Sequence, residues 1–109
     1  MGIAKYNPHT GKWELVGSDW ECQYNPLTER WKYAPPNSQP QYNPHKKRWE
    51  LSPEDWKCQY NPRTGEWKYA PSNAEVKYNP HEGIWELVGA DWVCEYNPHT
   101  GKWQYVSPK

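Results

Sequence analysis

The sequence contains no phenylalanine, one methionine, and only eleven aliphatic residues of the isoleucine, leucine and valine types among 109. A shortage of aliphatic residues is typical of disordered chains, but those chains also have few aromatic residues and a high net charge. This chain has nine tryptophans, nine tyrosines and a formal charge of zero. We therefore expect a folded protein whose core is built from tryptophan and tyrosine rings.

A charge excess and a long hydrophobic run are also absent. Thirteen basic residues balance thirteen acidic ones, which disfavours a nucleic-acid or membrane-surface partner, because such partners select a basic excess. No apolar run approaches the 18 residues of a transmembrane helix, and the N-terminus lacks a hydrophobic signal core. Three cysteines cannot form a complete set of internal disulfides. These features predict a cytoplasmic protein with free thiols.

A strict repeat organises the chain. Tyr-Asn-Pro recurs every 18 residues and is followed seven positions after each tyrosine by a tryptophan. A 36-residue period is superimposed on it: the members are Trp20, Trp56 and Trp92; Cys22, Cys58 and Cys94; and His9, His45 and His81. Repeats of this kind indicate stacked structural units. We predict one repeat domain over residues 1–109, with units at about 6–41, 42–77, and 78–109 together with 1–5.

Each half-unit has the signals of a β-hairpin. In the first, Pro8 fixes φ for a turn, Asn7 can hydrogen-bond forward, and Gly11 supplies the positive φ that closes the loop. Tyr6 then faces Trp13 across the strands. Two loops, residues 27–30 and 45–48, lack the glycine, and we expect them to be strained or differently shaped.

The segments Tyr6–Trp13 and Tyr96–Trp103 resemble the chignolin and tryptophan-zipper hairpins, in which the flanking tyrosine and tryptophan pack across the strands. Each 36-residue unit also resembles a shortened WW domain in its order of tryptophan, Tyr-Asn, tryptophan and proline, and the Tyr-Asn…Trp rhythm is similar to the octamer-repeat (OCRE) modules of splicing factors. Those resemblances imply aromatic peptide grooves at Tyr24, Trp31, Tyr60, Trp67, Tyr96 and Trp103.

Alternation of side chains predicts how the hairpins join. If Tyr24 opposes Trp31, then Cys22 opposes Tyr33, and on the other side Leu15 would oppose Trp20. This register gives an all-β antiparallel meander of six hairpins, with one aromatic face and one polar face. Neither end of the chain resembles the atypical polar cap of an open solenoid. We therefore favour a closed threefold ring with pairing of the terminal strands. An open tandem-repeat sheet is the alternative.

Residues with catalytic or metal-binding chemistry form no recognisable constellation. The three cysteines are spaced too widely for a zinc knuckle, and a trigonal soft-metal site would require threefold convergence. The histidines follow proline in turns and have no partner nucleophile. We predict a non-enzymatic protein with no catalytic residue, no metal and no cofactor.

The repeated aromatic residues leave binding as the main functional expectation. Tryptophan and tyrosine rings stack on sugars while neighbouring amides and imidazoles bind hydroxyls, so we predict a multivalent, lectin-like carbohydrate-binding module. Recognition of proline-rich peptides is the second hypothesis, and a structural or designed scaffold without a small ligand is the third. The oligomeric state is left open. The predicted ligand-binding residues are Trp20, Trp56, Trp92, Tyr33, Tyr69, Tyr105, Asn7, His9, His45 and His81.

Overall fold

The computed structural model describes residues 2–108 and contains twelve strands and no helix within them, which confirms the all-β prediction. Each strand pairs with one neighbour in the sequence, so the strands form six antiparallel hairpins, numbered 1 to 6 in chain order. The strands are β1 Gly2–Asn7, β2 Lys12–Gly17, β3 Glu21–Asn25, β4 Arg30–Ala34, β5 Ser38–Asn43, β6 Arg48–Pro53, β7 Lys57–Asn61, β8 Glu66–Ala70, β9 Glu75–Asn79, β10 Ile84–Val88, β11 Val93–Asn97 and β12 Lys102–Val106.

The hairpin loops have the predicted backbone. In hairpin 1 the Asn7 carbonyl accepts hydrogen bonds from the amides of Thr10 and Gly11, and Gly11 has φ +73°. The two loops without glycine keep a positive φ at the corresponding position, with Glu29 at 59° and Lys47 at 56°. A non-glycine residue is strained there because its Cβ crowds the following carbonyl. The expectation of strain is therefore met without a change in loop form.

Cross-strand register within the hairpins is also as predicted. Tyr24 faces Trp31 and Cys22 faces Tyr33. The same tyrosine–tryptophan pairing occurs in all six hairpins, with ring centroids 5.0–5.3 Å apart. Such pairs contribute about 0.5–1.5 kcal/mol beyond the area that they bury.

The prediction of a continuous meander is wrong. Leu15 faces Ala4 rather than Trp20. Each hairpin is a separate two-stranded sheet. The carbonyls of β2 that a third strand would use bond side chains of hairpin 6 instead: Trp13 accepts from Asn97 at 3.5 Å and Leu15 from Gln104 at 2.7 Å. After the turn at residues 17–20, β3 pairs with β4. Pairing of the terminal strands is likewise not found, because β1 pairs with β2 and β12 with β11.

Side chains connect the hairpins in place of strand pairing. The first five asparagines of the Tyr-Asn-Pro motifs each donate from Nδ2 to a tryptophan carbonyl 24 residues further along the chain, as Asn7 does to Trp31 at 3.1 Å. The equivalent bonds run from Asn25 to Trp49, Asn43 to Trp67, Asn61 to Trp85 and Asn79 to Trp103. Asn97 makes the corresponding contact with the Trp13 carbonyl at 3.5 Å, which joins hairpin 6 to hairpin 1.

The core differs from the aromatic one that the composition predicted. The buried hydrophobic side chains are small or aliphatic: Leu15, Val16, Ala34, Leu51, Ala70, Leu87, Val88 and Val106. No tryptophan or tyrosine in residues 2–108 is fully buried. Tyr6, Trp13 and Tyr24 lie on the exposed side, whereas Val16 and Ala34 of the predicted polar face point inward. In a body only 20 Å thick along its shortest axis, the large rings reach the solvent and compact side chains fill the enclosed positions.

None of the described residues forms a helix that could cross a membrane.

Candidate functional site

The three tryptophans of the 36-residue period meet. The ring centroids of Trp20, Trp56 and Trp92 lie 5.8–6.2 Å from one another in edge-to-face or tilted arrangements. One indole comes from each unit, so the three form a triad where the units converge. The triad borders a cavity of about 180 Å³, which is smaller than the 300–1,000 Å³ typical of small-molecule sites.

The predicted tyrosines serve as links within each unit. The hydroxyl of Tyr33 donates to the Tyr6 carbonyl at 2.8 Å, and Tyr69 and Tyr105 make the same bond to Tyr42 and Tyr78. Partial burial, with a smaller contribution from neighbouring Cys22 and Glu14, raises the pKa of Tyr33. These hydroxyls are therefore engaged with the backbone rather than free for a ligand.

The predicted histidines stack on tryptophans of the following hairpin. His9 lies parallel to Trp31 with centroids 3.9 Å apart, and His45 and His81 are 3.8 Å from Trp67 and Trp103. Each imidazole thus covers one face of an indole that the WW resemblance assigned to a peptide groove. His99 stacks in the same way on Trp13 at 3.7 Å.

Asn7 is inaccessible to a ligand in this conformation. Its side chain is 0% exposed. Its Oδ1 accepts from the His9 amide at 3.0 Å, and its Nδ2 donates to the Glu14 carboxylate at 2.9 Å as well as to the Trp31 carbonyl. The asparagine therefore holds the loop and the neighbouring hairpin in place.

The cysteines are free thiols, each half-buried beside a tyrosine. Partial burial, and secondarily the Glu14 carboxylate, raises the pKa of Cys22. The pKa values of Cys58 and Cys94 are raised for the same first reason. Across residues 2–108, no three His, Cys, Asp or Glu side chains lie close enough to hold a metal ion.

Two larger clefts open where one unit meets the next. The first, called the basic cleft, lies between hairpins 2 and 3 and has a volume of about 520 Å³. The second, called the mixed cleft, lies between hairpins 4 and 5 and measures about 510 Å³. The basic cleft is lined by Asn25, Thr28, Arg30, Lys32, Lys46, Arg48, Trp49, Glu50, Leu51 and Lys68. The mixed cleft is lined by Asn61, Thr64, Glu66, Lys68, Glu82, Ile84, Trp85, Glu86, Leu87, Lys102, Trp103 and Gln104.

Lys68 lines both clefts and also the cavity that the tryptophan triad borders. Burial lowers its pKa, opposed by the carboxylates of Glu86 and Glu50 and reinforced by the ammonium groups of Lys32 and Lys46. Among residues 2–108, no hydrogen bond or ion pair is made to the ammonium group of Lys68. Its ammonium group is therefore available to an acceptor that enters either cleft.

These cleft residues were not predicted from the sequence, because the prediction used the positions that are identical between repeats. The charge of the basic cleft comes from positions that differ between repeats. The loops that lack glycine, residues 27–30 and 45–48, supply Arg30, Lys46 and Arg48. The corresponding residues of the mixed cleft, 36 positions later, are Glu66, Glu82 and Ile84. A search for positions that break the period would have singled out Arg30, Lys46 and Arg48 from the sequence, but not that they line one cleft.

Comparison of the chain with family models, with curated proteins and with solved structures finds no match. The geometry and chemistry of the clefts are therefore what indicates a function.

Proposed function

We propose that this protein is a non-enzymatic, multivalent carbohydrate-binding module whose saccharides occupy the clefts between units. The observation that carries the proposal is the mixed cleft, where Trp85 and Trp103 lie beside carboxylate, ammonium and amide groups within about 510 Å³. Arg63 stacks on Trp85 and His81 on Trp103, so the saccharide would contact the parts of the two indoles that line the cleft. Sugars bind through apolar C–H faces and through hydroxyls, and this lining offers partners for both. Its volume falls within the range of small-molecule sites.

The position of the site differs from the one that the sequence predicted. The triad of Trp20, Trp56 and Trp92 borders only about 180 Å³, so we place the saccharide in the larger clefts. The basic cleft repeats the arrangement with Trp49, whose side chain is 39% exposed. Two sites on one small body would strengthen attachment to a glycan-bearing surface through avidity.

Recognition of proline-rich peptides is less well supported by the geometry. Stacking of His9, His45 and His81 occupies one face of each indole in the predicted groove. The same stacking affects Trp103 of the mixed cleft, so the preference for a saccharide depends on the cleft linings, whose charged and amide groups suit sugar hydroxyls better than the apolar rings of a polyproline segment. A scaffold role without a ligand would be the outcome if neither glycans nor proline-rich peptides bind the folded protein.

The test is a glycan array followed by calorimetry on the strongest neutral saccharide. The double variant E66A/K102A removes two exposed hydrogen-bonding groups from the mixed cleft and should weaken binding at that cleft roughly 10-fold while the site in the basic cleft is unchanged, because hydrogen bonds to charged groups are each worth about 1.5–3 kcal/mol and are partly replaced by water. E75A, at an exposed glutamate outside the cleft lining, is the matched control.

Absence of any glycan binding, or equal affinity of E66A/K102A and E75A, would overturn the proposal. A triple variant, W20L/W56L/W92L, distinguishes the clefts from the triad. If its thermal midpoint shows that it is folded, it should keep saccharide affinity.

A further inference from the structure

Cationic side chains are concentrated in the basic cleft although the chain as a whole is neutral. Five of its lining residues carry positive charge and one, Glu50, carries negative charge. Glu50 is also held by other donors, the Asn43 amide at 2.7 Å and the Tyr69 backbone amide at 3.5 Å. Like charges gathered in a cleft repel one another, and the repulsion grows as water is excluded. A bound anion would relieve it.

The mixed cleft shows that the fold does not require this charge. At the positions 36 residues later, Arg30 is replaced by Glu66, Lys46 by Glu82 and Arg48 by Ile84. The mixed cleft thus has two cationic and three anionic lining residues on the same hairpin framework. The charge of the basic cleft is therefore a property of its side chains and not a by-product of the architecture.

Backbone strain occurs at the same place. The loops that supply Arg30, Lys46 and Arg48 are the two in which a non-glycine residue has positive φ at the loop-closing position, Glu29 and Lys47. The loops beside the mixed cleft have Gly65 and Gly83 there. Strained backbone is concentrated at binding and catalytic sites, so this second observation points to the same cleft.

We propose that the basic cleft binds a compact saccharide carrying two or more sulfate or phosphate groups, held by Arg30, Lys46, Arg48 and Lys68. Arginine forks pair with such oxyanions through two parallel hydrogen bonds. This inference rests on the proposed function for the sugar and adds the anionic groups as the ligand class of one cleft. Trp49 lies in the same lining and is the partner for the sugar face.

A compact ligand fits better than a long polyanion. Glu66, at the edge of the neighbouring cleft, lies 3.8 Å from Lys46, and the mixed cleft continues with Glu82 and Glu86. A nucleic-acid strand that extends beyond the basic cleft would place phosphates beside these carboxylates, where like charges repel.

The test compares four probes by calorimetry at low and moderate salt: inorganic pyrophosphate, a disulfated disaccharide, the same disaccharide without sulfate, and a single-stranded oligonucleotide. We expect the disulfated disaccharide to bind more tightly than its neutral counterpart and to weaken as salt rises. Pyrophosphate should bind at one site per chain and compete with it. A sugar phosphate in place of the sulfated sugar distinguishes the two sources of oxyanion.

The matched variant R30E/K46E/R48I gives the basic cleft the side chains of the mixed cleft, which this fold already accommodates. It should bind pyrophosphate about 100-fold more weakly, the loss expected for two charge-assisted hydrogen bonds. The reciprocal variant E66R/E82K/I84R should create a second pyrophosphate site, with a stoichiometry near two. Thermal midpoints of both variants report whether they fold.

Each outcome has one meaning. Equal binding of the sulfated and neutral disaccharides, or unchanged pyrophosphate affinity in folded R30E/K46E/R48I, overturns the anion site and leaves the proposed function standing. Pyrophosphate binding without any saccharide binding supports the anion site and overturns the proposed function. Tighter binding of the oligonucleotide than of the disulfated disaccharide overturns the compact ligand.

Discussion

The basic and mixed clefts occupy equivalent positions between successive units and have nearly equal volumes, yet their charge is opposite in balance. Three substitutions between otherwise similar 36-residue units account for most of the difference: Arg30 for Glu66, Lys46 for Glu82 and Arg48 for Ile84. A net charge of zero is therefore compatible with a strongly basic cleft, because most of the acidic residues lie outside its lining. Local charge, not the sum over the chain, decides which ligands a surface attracts.

The clefts also differ in the loops beside them. Gly65 and Gly83 close the loops at the mixed cleft, whereas Glu29 and Lys47 adopt the same left-handed conformation at the basic cleft. The backbone form is common to both and only its strain differs. The two clefts thus share a backbone framework and differ in the side chains that it carries. Variants of the framework and of the side chains can therefore be tested separately.

The largest effect is expected for the framework. Asn43 and Asn79 are both fully buried and bond a glutamate, a tryptophan carbonyl and a loop amide. Asn43→Ala and Asn79→Ala should each lower the free energy of unfolding by about 2–4 kcal/mol, because buried partners lose their hydrogen bonds. Urea denaturation measures both losses, and the exposed Asn73→Ala is the control. A large inequality between the two losses would show that the clefts do not share one framework.

A smaller effect of opposite sign is expected where the loops differ. Glu29→Gly and Lys47→Gly should each stabilise the protein by about 0.5–1 kcal/mol, since relief of the left-handed strain outweighs the greater chain entropy of glycine. Gly65→Ala and Gly83→Ala should destabilise by a similar amount. Thermal and urea unfolding of the four variants provide the measurement. Stabilities that do not move in opposite directions would contradict the strain argument.

Alkaline pH should weaken the framework that all three units share. Burial raises the pKa of Cys22, Cys58 and Cys94, and of the tyrosines beside them. The folded state then binds more protons than the unfolded state above about pH 9, so the free energy of unfolding falls as the pH rises through the folded pKa values.

Lys68 has the opposite sign: because burial lowers its pKa, its charge costs stability at lower pH, and that cost disappears as the pH rises from the folded pKa to the ordinary value of 10.5. The three cysteines and three tyrosines together outnumber this single lysine, so we expect the free energy of unfolding to fall overall as the pH rises. Urea denaturation of the wild type from pH 8 to pH 11 measures it, and C22A/C58A/C94A should shift the onset upward. An unchanged onset in the folded triple variant would assign the alkaline loss to the tyrosines alone.

The smallest effect is expected for the ion pair between Lys46 and Glu66. The pair spans 3.8 Å and the Glu66 side chain is 62% exposed, so water and salt screen most of the attraction. Glu66→Gln should change the free energy of unfolding by less than about 0.5 kcal/mol. A double-mutant cycle with Lys46→Gln gives the coupling energy, and a value above 1 kcal/mol would mean that the pair helps to hold the clefts together.

Local features of this protein could be read from the chain because they depend on neighbouring residues. The Tyr-Asn-Pro turn, the positive φ at Gly11 and the Tyr24–Trp31 pairing are all fixed within a few positions. The relation between hairpins was misjudged. Alternation allowed β3 to pair with β2 as easily as to turn away, and the Asn97 and Gln104 side chains that bond the carbonyls of β2 lie 84 and 89 residues from their partners.

The sequence indicated the three repeated tryptophans of the candidate site but not the clefts beside them. The convergence of Trp20, Trp56 and Trp92 follows from their 36-residue spacing once three units meet, but the spacing does not state how much room remains between them. The clefts lie between hairpins, and their lining combines residues far apart in the sequence, such as Arg30 and Lys68.

The sequence by itself determined the six hairpins, their loops and the rings that face each other across them, since turn chemistry and strand alternation act over short distances. Only the tertiary structure decided that asparagines would tie one hairpin to the next, that compact aliphatic side chains would fill the interior, and that five cations would share one cleft. Those outcomes depend on how separate two-stranded sheets pack in space, where burial and volume rather than order along the chain choose the neighbours.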